Sequence, residues 1–114
     1  MAKSSLTDAI IACQQNDDRK TQADLSCNLG LVYERLGDLA RAKSLHQQAL
    51  QIDTELGYEE GIANHLYNLG RLSIDDAPMI AREQFDRARD LYARLQLEDR
   101  VADVDDWLSR LRLR

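Results

Sequence analysis

Asn28-Leu29-Gly30 returns as Asn68-Leu69-Gly70, 40 residues further on. The match is wider than the triplet. A shift of 40 lays Ala23 on Ala63, and it lays Lys3, Ser4, Ala9 and Ile10 on Lys43, Ser44, Ala49 and Leu50. A shift of 39 lays Ala42, His46, Ala49 and Leu56 on Ala81, Phe85, Ala88 and Leu95, and carries Glu59, Ala63 and Leu69 onto Glu98, Ala102 and Leu108. A chain that repeats itself at this interval builds one supersecondary unit several times. A single unit cannot bury its apolar face alone, so the units must stack. The change from 40 to 39 places the loss of one residue in the second inter-helix turn.

Each unit reads as two helices. Ala, Leu, Arg, Gln, Glu and Asp abound, while β-branched and aromatic residues are sparse, which predicts an all-α fold. Over 19–36, Ala23, Leu25, Leu29, Gly30, Val32, Tyr33 and Leu36 share one broad helical face. Gly37 then ends the helix, because glycine takes the left-handed conformation without a Cβ clash, and Asp38 caps the next one. That helix runs to Leu56 and stops at Gly57. The second hairpin covers 59–95 and turns at Ile74–Pro78, with Asp76 as the expected N-cap and Pro78 in the first turn. Gly30 and Gly70 lie inside helices, where glycine costs about 1 kcal/mol relative to alanine. Their recurrence in phase predicts another backbone close by, with Ala42 and Ala81 small for the same reason.

The ends read as half units. Residues 3–16 match the second helix of a unit, and residues 98–112 match the first, with Val101, Val104, Leu108 and Leu111 on one face. The whole chain, 1–114, is then one domain of six helices in the order B, A–B, A–B, A. The half units suggest a role of their own. Leu6, Ile10 and Ile11 at one end and Val104, Leu108 and Leu111 at the other could complete each other between copies, as a homodimer or a head-to-tail oligomer.

Charge and composition narrow the function. The net charge is −5 with cations scattered among acids, so the cationic face that nucleic acid requires is not in evidence. No apolar run approaches a membrane span, no secretory signal is evident, and two cysteines make no disulfide framework, so a cytoplasmic location is expected. His46 aligns with Phe85 and His65 with Leu25, both inward positions, so packed histidines are the reading. Neither histidine nor cysteine spacing fits a metal site. Cys13 and Cys27 read as small packed thiols without a bond between them. The acid pairs Asp17–Asp18, Glu59–Glu60 and Asp75–Asp76 fall at predicted helix starts, where they complement the dipole. No phosphate loop or nucleotide fingerprint occurs. No cofactor and no catalysis are expected.

Leu29, Gly30, Tyr33, Gly37–Asp38, Ala42 and Ala49, then Leu69, Gly70, Ala81, Phe85 and Ala88, resemble the marks of the tetratricopeptide repeat family. The usual repeat is about 34 residues. The longer period and the Asn-Leu-Gly signature look more like the long-helix branch found in kinesin light chain and spindle-orientation adaptors. Six more residues would lengthen each of two helices by about 4–5 Å. The departures are Ser73 in place of Tyr33 and Asp76–Ala77 in place of Gly–Asp, so the second hairpin should pack less firmly or turn differently.

The resemblance implies a right-handed α-solenoid of antiparallel helical hairpins whose first helices line a concave groove. By that resemblance the groove carries Asp24, Cys27, Asn28, Leu31, Glu34 and Arg35, then Asn64, Tyr67, Asn68, Arg71 and Ile74, with Trp107 in the final half unit. An asparagine amide both donates and accepts, so Asn28 and Asn68 could grip a peptide backbone without reading its sequence, as their counterparts often do in the long-helix relatives. They could equally serve local packing. Tyr67, Arg71 and Trp107 are of the types enriched at binding hot spots, and Trp107 reads as well as a cover for the last hairpin. The mixed charge of Arg35 and Arg71 beside Asp24 does not fit capture of an acidic C-terminal tail. The expected function is a non-enzymatic scaffold that binds an extended peptide or helix of a partner protein. The alternative is self-association through the terminal half units.

Overall fold

In the computed structural model, residues 18–112 are described. They form five helices: α1 (Arg19–Arg35), α2 (Leu39–Leu56), α3 (Glu59–Ser73), α4 (Pro78–Arg94) and α5 (Glu98–Arg112). No strand occurs among the described residues. The expected helix over 3–16, with Leu6, Ile10 and Ile11, lies outside them. The chain divides into two compact units at Tyr58. In the first, α1 packs on α2; in the second, α3 packs on α4 and α4 on α5. No described helix is long and apolar enough to cross a membrane.

Local chemistry sets most boundaries. Asp18 caps α1: its carboxylate accepts from the Thr21 backbone N–H at 3.1 Å and from the Thr21 hydroxyl at 2.8 Å. These two bonds, the hydroxyl's the larger influence, hold its carboxyl below the usual range. Gly37 takes φ +82° just past α1, and the Asp38 N–H returns to the Tyr33 carbonyl at 3.0 Å. Asp38 then caps α2 through the Arg41 N–H. Gly57 ends α2 at φ +70°, and the Tyr58 N–H closes on Asp53 in the same way.

The α3–α4 turn departs from the expectation. Ala77, not Asp76, is the N-cap residue of α4, and no side chain caps that helix. Pro78 decides this. It occupies the first helical position, where its missing N–H is harmless, and so forces the residue before it out of the helical region. Ala77 sits at φ −147°, ψ 66°. Asp75 and Asp76 are left in the turn, two positions and one position too early to cap. The missing residue is not lost from the turn either. Three residues, 36–38, join α1 to α2, and four, 74–77, join α3 to α4; α3 has 15 residues against 17 in α1. Two acids just past the end of α3 oppose its dipole, and no glycine stands there to extend the exit.

The two in-phase glycines are tightly contacted, and the nearest atoms belong to rings. A Cβ on Gly30 would lie 2.9 Å from His46 Nε2, and one on Gly70 would lie 2.9 Å from Phe85 Cε1. His46 and Phe85 are fully buried. Each hairpin therefore seats one large planar side chain of its second helix over one glycine of its first. The repeat preserves that pairing although the ring changes.

The open ends of the two hairpins also correspond. Arg19 at the start of α1 meets Glu55 at the end of α2 at 2.6 Å, while Glu59 at the start of α3 meets Arg94 at the end of α4 at 3.2 Å. The positions are equivalent and the charges are exchanged. Exposed pairs of this kind stabilise by only about 0–1 kcal/mol. Their opposite polarity nonetheless favours each first helix with its own second helix, because the crossed pairings would set like charges together.

Candidate interaction site

The groove positions of the first unit lie along α1. Asp24, Asn28 and Arg35 are exposed and Leu31 is half-buried. Asp24 accepts from Lys20 Nζ at 2.6 Å, and the same ammonium sits 4.2 Å above the Tyr58 ring. Desolvation works against the charged lysine, but the bond and charge of Asp24 and the field of Asp53 prevail and raise its pKa. Asp24 is thus partly engaged with its own helix. Cys27 packs, half-buried, against Ala23, Ala49 and Ile52. Its Sγ lies within 4.8 Å of a ring nitrogen of His46.

The second unit brings its candidates together more closely. Trp107 Nε1 donates to the Tyr67 hydroxyl at 3.0 Å. The indole stacks on Phe85, centroids 6.0 Å apart and planes 9° from parallel, and Tyr67 meets the same Phe85 edge-on at 5.9 Å. Arg71 lies 5.8 Å from the Tyr67 ring centre and donates to Asn68 Oδ1 at 3.1 Å. Tyr67, Asn68, Arg71 and Trp107 are all half-buried. Four residues from α3 and α5 thus form one braced cluster whose base is the ring seated over Gly70. Trp107 covers the last hairpin in this way, and it does so while remaining part of the surface.

Asn64 is placed apart from that cluster. Its Oδ1 accepts from the Tyr92 hydroxyl at 2.5 Å. Tyr92 was not among the candidates. It is almost fully buried, and burial first of all pushes its phenol up to about 12. The repeat held one signal for it: Tyr92 occupies the position of Asp53, which is also buried, and a shared inward position filled by two polar residues marks an internal polar contact. Ile74, expected on the exposed turns of α3, is buried. The shortened helix releases the chain before that position, and the turn folds it inward.

The terminal candidates on α5 are placed differently from the open face expected of them. Val104, Leu108 and Leu111 are buried. Beside them an ion pair joins α4 to α5: Arg89 Nε donates to Asp105 Oδ1 at 2.5 Å. The arginine's pKa is raised by that hydrogen bond first and by the aspartate charge next.

A family model described as tetratricopeptide repeat matches residues 21–95. This chain belongs to the tetratricopeptide repeat family. Repeats of this family generally mediate protein–protein interaction, and the family is typically not catalytic. The match spans both hairpins and includes each glycine with the ring that covers it. No curated protein matches the chain.

Proposed function

We infer that this tetratricopeptide protein is a non-catalytic scaffold. It holds an extended peptide or a helix of a partner protein along the first helices of its hairpins. The observation that carries the reading is the cluster of Tyr67, Asn68, Arg71 and Trp107. Rings and a guanidinium braced from below lose little freedom on binding, which is what makes such residues effective anchors. Asn68 would add an amide beside them for a peptide backbone, and Asn28 would repeat that contact on α1. Asp24, Leu31 and Arg35 would flank Asn28 on α1, with a mixed charge that suits an uncharged or mixed segment.

The test is capture of partners from a cell extract on the immobilised full chain, with and without the paired substitution Asn68→Ala and Arg71→Ala. Tyr67 is left in place because it also holds Trp107. Binding of the proteins recovered by the native chain is expected to fall at least tenfold, or about 1.4 kcal/mol. Undiminished capture by a variant with unchanged circular dichroism would contradict this surface.

A further inference from the structure

The same small-residue seat that α1 and α3 each offer to a second helix is presented, open, by α5. In register, Ala23 and Gly30 of α1 correspond to Ala63 and Gly70 of α3 and to Ala102 and Ser109 of α5. The alanines of α1 and α3 are fully buried, and both glycines are buried beneath a ring. Ala102 and Ser109 are exposed. An open furrow of about 720 Å³ runs beside Ser109 between α4 and α5, past Asp86, Arg89, Asp105, Leu108 and Arg112. A hollow of about 290 Å³ adjoins Pro78, Met79, Arg82 and Leu111. At that hollow Met79 is 87% exposed, and the next residue, Ile80, is 55% exposed.

The chain also contains the element that fits this seat. The inward face of a second helix is Ala42, His46, Ala49 and Asp53 in the first hairpin, and Ala81, Phe85, Ala88 and Tyr92 in the second. The same register in residues 3–16 continues to Leu6, Ala9 and Cys13. Leu6 stands where His46 and Phe85 stand, the two residues that cover a glycine. The described residues thus hold two seats filled by two rings and a third seat that is uncovered, and the sequence over 3–16 repeats the covering face.

We propose that residues 3–16 of a second copy of this chain dock at the α4–α5 furrow, with Leu6 over Ser109 and Ala9 toward the neighbouring Ala102. The contact is head-to-tail, so it propagates until it closes into a ring or is capped. On α5 the exposed residues that make it are Ala102, Asp105 and Ser109, with Leu108 at the floor of the furrow; Val104 is fully buried. The furrow is rimmed by charges, including the Arg89–Asp105 pair. The association is therefore reversible and dependent on concentration. It goes beyond the partner-binding reading and does not use Asn68 or Arg71.

The test uses the full chain with Leu6→Asp, which spoils the inserted residue, and Ser109→Arg, which fills an exposed seat without touching the core. Masses are measured by light scattering from about 10 μM to about 1 mM. The native chain should rise in mass with concentration, and each variant alone should remain monomeric. The equimolar mixture should form a dimer and nothing larger, because each variant keeps the half that the other lacks. Circular dichroism of both variants should match the native chain. A native chain monomeric throughout the range overturns the proposal, whether the seat is then covered by the chain's own segment or by another protein. Variants that assemble as the native chain does, or a folded mixture that stays monomeric, also overturn it.

Discussion

Gly70 carries a hydrogen where almost any other residue would carry a carbon 2.9 Å from the Phe85 ring. Phe85 is fully buried, so the ring cannot swing away. Alanine there gains about 1 kcal/mol of helix propensity but must displace a packed ring, and overpacking of this kind costs about 1–3 kcal/mol. Gly70→Ala is expected to be net destabilising by up to about 2 kcal/mol in chemical denaturation. Phe85→Leu should be destabilising alone and should recover part of the loss in the double variant, since the two sites share one volume. A second prediction at this scale concerns Tyr92. Its phenol is pushed up to about 12 by burial, so the folded state favours the neutral form. Its contribution is complete below the unfolded phenol's pKa of about 10 and is lost as pH rises from there through the folded value. The loss should not exceed about 2 kcal/mol, because Asn64 at the hydroxyl is only half-buried and water screens that end. Tyr92→Phe should cost about 1 kcal/mol at neutral pH and should lack this alkaline loss when melts are compared across pH 9–12.

Helix ends are the next scale, and there the sequence was readable where one residue decided the geometry. Gly37, Asp38 and Gly57 each carry a conformation or a bond that few other residues supply, and all three stand where expected. Asp76 was misread because a side chain good at capping was weighed without the proline two places on. The exit from α4 shows the opposite case. Gln96 occupies the position of Gly57 and takes φ +61°, with the Leu97 N–H closing on the Tyr92 carbonyl at 2.9 Å. A side chain pays for this conformation with about 1 kcal/mol or more of Cβ strain. Gln96→Gly is therefore expected to raise stability by about 0.5–1 kcal/mol after allowing for the greater freedom of the unfolded chain. A lowered melting temperature would contradict it. Ala77→Asp should restore the missing cap on α4 and add about 1 kcal/mol in the same measurement. The ion pairs at the hairpin ends could not be read in advance, because periodicity within a helix does not say which residue of the next helix lies opposite.

Across the whole molecule, the repeat made the hairpins and their order legible in residues 19–112. The braced cluster was legible only in part. Tyr67, Asn68 and Arg71 were read from one helix face, and Trp107 from the position it shares with Asn68. Their mutual contacts depend on how α5 meets α3, which no spacing encodes. The nature of the close approach was missed because small residues in phase say that something comes near without saying what. It is a ring in both hairpins, and the two rings differ enough to hide the rule. That rule, one large side chain of a second helix seated on one glycine of the first, underlies the fold, supports the cluster through Phe85 and defines the open seat on α5. Nuclear Overhauser contacts of the glycine α-protons test it most directly. Gly30 should contact the His46 ring protons and Gly70 the Phe85 ring protons, each with an upfield-shifted α-proton. Loss of either set of contacts in the folded chain would contradict the account.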